Sequence, residues 1–97
     1  MEPRSLRVTT DSILIQDSEP TAVDVDGRIV VLSLLSGSYF DFNRVATEIW
    51  RMLTKPCRVS DIFYSLSQLH DVDAETLLSD VMPFLQTLVA NRIVRVI

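Results

Sequence analysis

The sequence predicts an α+β domain in which a three-stranded antiparallel sheet is followed by three helices. Apolar alternation between residues 22 and 42 is broken by two turn signals, Asp26-Gly27 and Ser36-Gly37. Beyond residue 43 the apolar spacing changes to a helical one, in three successive blocks. The chain has 97 residues, of which 47 % are apolar. That length and composition suit one core, since a single domain usually takes about 100–200 residues.

Residues 1–10 are polar, carry Pro3 and lack periodicity, so they are expected to form a flexible N-terminal arm ahead of a single domain over 11–97. SILIQ (12–16) is a short apolar run that suits an outer strand or a segment that orders only on contact. After Pro20 comes the meander. Ala22-Val23-Asp24-Val25 alternates, Asp26-Gly27 is a two-residue hairpin signal, and Arg28–Leu35 is rich in β-branched residues. Ser36-Gly37 supplies the second turn, and Ser38–Phe42 the third strand.

Asn43 is placed to cap the first helix by accepting from free amides of its first turn. Its apolar face is Val45, Ala46, Ile49, Trp50 and Leu53, and Thr54-Lys55-Pro56 ends it. Ser60 is expected to cap the second helix, with Ile62, Phe63, Leu66 and Leu69 as its stripe. Asp71-Val72-Asp73 closes that helix and caps a third, from Ala74 to about Asn91. Pro83 lies in the middle of the third helix, where it removes a backbone hydrogen bond and is expected to bend it. At about 100° per residue, the arc from Phe84 through Leu77, Leu88, Val81, Leu85, Leu78 and Val89 to Met82 spans roughly 160°. A helix facing one core needs about 100°. The surplus is extra core or the wall of a groove. IVRVI (93–97) suits a last short strand or a packed extension.

Enzyme chemistry is hard to find, and neither catalytic residues nor a cofactor are expected. The one histidine, His70, ends the second helix, where it suits terminal carbonyls better than a metal. Without a second histidine or a cysteine pair, no zinc site has enough recognisable ligands. Asp24, Asp26 and Gly27 imitate part of a calcium loop, but Ala22 stands at its first ligand position and Ser33 at its twelfth. The serine of SGS lacks a G-x-S-x-G context. Cys57 is alone, so no intramolecular disulfide forms; beside Pro56 and Arg58 it is a passive loop residue or a mildly activated thiol.

Nine Lys plus Arg stand against thirteen Asp plus Glu, the wrong sign for gripping phosphate backbones. Strands and three helices ending in a strand suit a winged helix-turn-helix, so a DNA-binding regulator is the alternative reading. Its reading helix would be the third, which has Glu75 and Asp80 and no Lys or Arg between Ala74 and Asn91. Neither nucleic acid nor membrane is an expected partner: no stretch approaches the about 20 apolar residues of a membrane span. MEPRSLRVTTDS holds no apolar run for a signal peptide, and the expected location is cytoplasmic.

The aromatic strand remains. Alternation puts Ser38, Phe40 and Phe42 on one face and Tyr39 and Asp41 on the other. If this strand is an edge, its free amides and carbonyls can pair with an extended peptide.

The order DGRIVVLSL, SGSYFDFN, IWRML, PCRVSDIFYSL and DVDAETLLSDVMPFLQTLVANRIV resembles the PqqD family, also called RiPP recognition elements, over roughly residues 20–95. The SGSYFDFN junction is most similar to the stand-alone leader-binding proteins of lasso-peptide clusters, with Phe42 where leucine is usual. The resemblance implies a winged-helix arrangement of three strands and three helices. It implies that the protein, a monomer or weak dimer, binds the leader of a ribosomally made precursor peptide as an added strand. It then presents the leader to a separate modifying enzyme or leader peptidase. Carried onto this chain, the binding residues are Tyr39, Phe40, Asp41 and Phe42 on the strand, with Leu78, Met82, Leu85 and Val89 as the helical wall.

Overall fold

The computed structural model describes residues 7–97. In chain order the elements are β1 (Ile13–Gln16), β2 (Thr21–Val25), β3 (Arg28–Leu32), β4 (Tyr39–Asp41), α1 (Arg44–Met52), β5 (Cys57–Arg58), α2 (Val59–Leu69), α3 (Ala74–Ala90) and β6 (Val94–Val96). The class is α+β with antiparallel pairing and three helices, but the strands divide into two sheets, ordered β5-β1-β6 and β2-β3-β4. A single three-stranded sheet ahead of the helices is therefore too simple.

The SILIQ run explains the second sheet. Its continuous apolar character suits a strand with neighbours on both sides, and β1 is the centre of its sheet with Leu14 fully buried. β1 also closes α1: Gln16 Nε2 donates to Trp50 O at 2.8 Å, and Gln16 N to Leu53 O at 2.9 Å. Carbonyls left open at a helix end thus find donors on a strand. Residues 1–6 of the expected arm lie outside the described residues. Val8 departs from that expectation: it is buried in the core, and its amide donates to Gln86 Oε1 at 2.8 Å.

The meander forms as the alternation predicts. Asp26 and Gly27 both have positive φ, 56° and 89°, as the tight turn joining β2 to β3 requires. Ile29 and Val31 point into the core, whereas β2 is exposed along its whole length. Gly37, at φ 70°, turns the chain into β4. The loop before it is clamped by Glu19, whose carboxylate accepts from Ser33 Oγ at 2.7 Å, Leu34 N at 2.8 Å and Leu35 N at 3.2 Å. Leu34 and Leu35 project outward from this fixed turn.

The caps of α1 and α3 are those the sequence predicts: Asn43 Oδ1 accepts from Ala46 N at 2.9 Å, and Asp73 Oδ1 from Thr76 N at 2.8 Å. α2 differs. It starts at Val59, with Arg58 as a cap residue whose side chain makes no capping bond and donates instead to Asp11 O at 2.9 Å, and not at a Ser60 cap. β1's approach supplies the acceptors instead, since Val59 N donates to Ser12 O and Ser60 N to Thr10 O. Leu69, expected in the stripe of α2, is exposed. α3 runs unbroken through Pro83. Pro83 is exposed, so the Ser79 carbonyl it leaves without a helical donor is on the solvent side.

One buried hydroxyl joins the meander to α1. Thr47 Oγ1 accepts from Ile29 N at 3.2 Å and lies 3.5 Å from Phe42 O, replacing the ladder where β4 ends. Thr47→Val keeps the shape and orphans both groups. It is expected to lower unfolding stability by roughly 1–3 kcal/mol, read as a shifted denaturation midpoint with unchanged slope.

The Glu19 clamp sets a pH dependence. The carboxyl lies below the usual carboxylate range, chiefly because Ser33 donates to it, with the Leu34 and Leu35 amides adding to the effect against desolvation. A carboxyl depressed on folding contributes stability above its unfolded value, and loses it as pH falls through the folded one. The Leu34 and Leu35 amide resonances are thus expected to titrate with a midpoint below that of a free glutamate, and Glu19→Gln to abolish that titration.

Candidate functional site

β4 is an edge strand. Its one partner among the described residues is β3, in the register Val30 to Asp41, Val31 to Phe40 and Leu32 to Tyr39. Ser33 N donates to Ser38 O and Phe42 N to Ile29 O, each at 2.9 Å. The main-chain groups of residues 38, 40 and 42 therefore turn toward β3. In an antiparallel ladder the intervening residues turn the other way. The N–H and C=O groups of Tyr39 and Asp41 thus point out of the sheet, four groups in a row.

The side chains alternate as the sequence predicts. Phe42 is buried, Phe40 and Ser38 are half-buried, and Tyr39 is 65 % exposed. Asp41 is exposed and takes both oxygens to Arg28 Nη2, at 2.6 and 2.7 Å. Such a surface pair is worth about 0–1 kcal/mol, so its main effect is to neutralise the carboxylate beside the open edge.

α1 lies under β3, and α3 with its C-cap reaches the residues on either side of β4. Two contacts fix which side of α3 faces the strand. Ser38 Oγ hydrogen-bonds Asn91 Oδ1 at 2.7 Å, and the Phe42 and Phe84 rings meet edge-on with centroids 5.6 Å apart. The open edge overhangs the helix side carrying Phe84 and Asn91.

This changes the helical wall. Leu85 and Val89, expected to line a groove, are 0 % and 6 % exposed and belong to the core. Leu78 is exposed and Met82 half-buried, but Met82 sits about 160° around the helix from Phe84, at 100° per residue. That far side carries Gln86, which receives the amide of Val8. The side of α3 that meets the residues flanking β4 carries Phe84, with Asp80 one turn before it. Phe84 was visible in the sequence as the opposite end of the same apolar arc. Both ends of such an arc look alike until tertiary packing chooses between them.

A cavity of about 370 Å³ continues the cleft past the end of β4, between α1, α2 and α3. Ala46, Ile49, Leu66 and Leu77 give it an apolar floor; Asn43, Thr76, His70 and Asp80 are its polar members. Its size is at the lower end of ligand clefts, about 300–1,000 Å³.

Reactive groups elsewhere have ordinary roles. His70 Nε2 lies 2.7 Å from Glu48 Oε1, so the ring is held by a carboxylate, not by helix-end carbonyls. The Cys57 thiol is pushed up by burial and by nearby Asp61, which makes it a poor nucleophile at neutral pH. Among the described residues no three His, Cys, Asp or Glu gather as a metal site would need, and no helix is long and apolar enough to cross a membrane.

Neither the curated proteins nor the solved structures compared with this chain match it. A family model does, over residues 28–94, well over half of the chain, and its description is coenzyme PQQ synthesis protein D. The matched span runs from the first residue of β3 through β4 and all three helices into β6. The chain belongs to the PqqD family.

Proposed function

We propose that the protein binds the leader segment of a ribosomally synthesised precursor peptide by strand addition to β4, and presents it to a separate modifying enzyme or leader peptidase. Membership of a family of non-catalytic accessory proteins in such biosynthesis supports this role. The observation that carries it is the outward row of main-chain groups at Tyr39 and Asp41, beside the Phe84 side of α3. In this reading the β2–β3 hairpin is the wing of a winged-helix arrangement, and the SGSYFDFN junction favours a lasso-type precursor.

The guest extends the meander to four strands. Tyr39 and Asp41 supply register, Phe40 and Phe42 hold the edge in place from beneath, and Phe84 offers a half-exposed ring to a guest side chain. Leu78 and Met82 lie outside this contact, and Leu85 and Val89 support it from within the core. Four main-chain hydrogen bonds at about 1 kcal/mol each stop well short of the roughly 8 kcal/mol of micromolar binding. Apolar anchoring has to contribute the remainder.

A proline at position 39 removes one outward N–H and no bond to β3, because edge strands tolerate proline where the amide faces solvent. With fluorescent synthetic peptides copied from the N-terminal segments of short reading frames found beside this gene, Tyr39→Pro is expected to bind the best of them roughly two- to tenfold more weakly than Tyr39→Ala. Equal affinity of the two variants, both folded by circular dichroism, removes strand addition at this edge.

A further inference from the structure

The cavity between α1, α2 and α3 begins where β4 ends, and Phe84 belongs to both: it packs on Phe42 and lines the cavity. Asn43, two residues beyond the last strand residue, stands at the same junction. At about 3.3 Å per residue, a chain paired with Tyr39 and Asp41 reaches this opening within two or three further residues.

Among the described residues, the rim has one carboxylate without a cation. Asn43 Oδ1 is engaged with the Ala46 amide, His70 with Glu48, and Thr76 with Asp73. Asp80 is exposed, and among the described residues its side chain accepts only from the Ser79 hydroxyl, at 3.3 Å. Neither Lys nor Arg is among the described residues that line the cavity, and α3 carries none along its length. Glu75, in the first turn of α3, adds to the negative potential. The surface is thus complementary to an apolar side chain accompanied by positive charge.

We infer that the cavity holds a bulky apolar side chain of the guest peptide, and that Asp80 selects a lysine or arginine next to that anchor. The inference rests on β4 being the guest's docking edge, and it names the class of sequence that edge prefers: an extended segment followed by leucine, methionine or phenylalanine with a basic neighbour. The apolar floor takes the anchor out of water. The basic residue lays its alkyl stem along the rim and carries its charge to Asp80.

A phage-displayed library of random 12-residue peptides, panned on the full-length protein, tests this without knowledge of the precursor. The enriched peptides are expected to pair a bulky apolar residue with Lys or Arg. A synthetic copy of the best of them should protect the Tyr39 and Asp41 amides from hydrogen exchange. Asp80→Asn should weaken that peptide roughly two- to fivefold and leave its lysine-to-norleucine analogue unaffected. Thr76→Trp, at an exposed position on the rim, should obstruct the cavity and weaken both peptides at least about tenfold. Peptides that protect Tyr39 and Asp41, yet show no basic preference and bind Asp80→Asn and Thr76→Trp as well as the parent, overturn the cavity assignment and leave the docking edge standing. Failure to enrich any peptide that protects those two amides overturns the docking edge itself, and the cavity assignment with it.

Discussion

Phe42 sits among three aromatic rings, with centroids 6.2 Å from Phe40, 5.9 Å from Trp50 and 5.6 Å from Phe84, and the placement of β4 follows from that packing. It directly follows the strand on its inward side, and the next residue, Asn43, caps α1. Strand register, helix start and the facing side of α3 are therefore set together. A slip of one residue would bring Asp41 into the ring cluster and put Phe42 in water, so the register has no near competitor. Because Phe42 is fixed, the outward direction of the Tyr39 and Asp41 main chain is fixed as well.

The two sheets divide the work. The β5-β1-β6 sheet ties the chain's described ends to its middle: Leu14 is fully buried, Ile97 N donates to Ile13 O, and Gln16 closes the end of α1. The β2-β3-β4 sheet is covered on one face, by α1 and α3, and its outer face carries Val23, Leu32 and Tyr39 in the open. The second sheet leaves more of its strand residues exposed than β1, the centre of the first. A segment that must accept another chain is drawn from the less buried part of a fold.

Much of this was legible in the sequence, and the parts that were not share a cause. Asp26-Gly27, Asn43 and Asp73 act through their own neighbours, so local chemistry announced the hairpin and two of the helix starts. The inward and outward sides of β4 followed from a period of two. Pairing partners are different, because they depend on residues far away in the chain. SILIQ could not reveal that its partners are Cys57–Arg58 and Val94–Val96. Ser60 looked like a cap because nothing local shows that Thr10 and Ser12 carbonyls arrive to satisfy the first amides of α2. The side of α3 that meets the β4 segment was hidden for the same reason. Met82 and Phe84 are alternative ends of one apolar arc, and the choice was made by Ser38, Phe42 and Val8, none of which lies on the helix.

The short length of β4 bears on what can occupy its edge. A long, flat open edge would invite a second sheet, and with it aggregation. Here the edge spans three residues, Arg28 neutralises Asp41, and α3 with its C-cap is held against the residues on either side of the strand. A second folded domain would have to bring its own covering helix or neighbouring strand into the space α3 already fills. A single extended chain has no such burden: it needs width for one backbone and a place for alternate side chains. The half-exposed Phe84 ring is already held by Phe42, so in the proposed complex a guest side chain would meet a surface that does not have to be assembled on binding. Preorganisation of that kind lowers the ordering cost of association. It also confines that benefit to a partner that arrives as a strand.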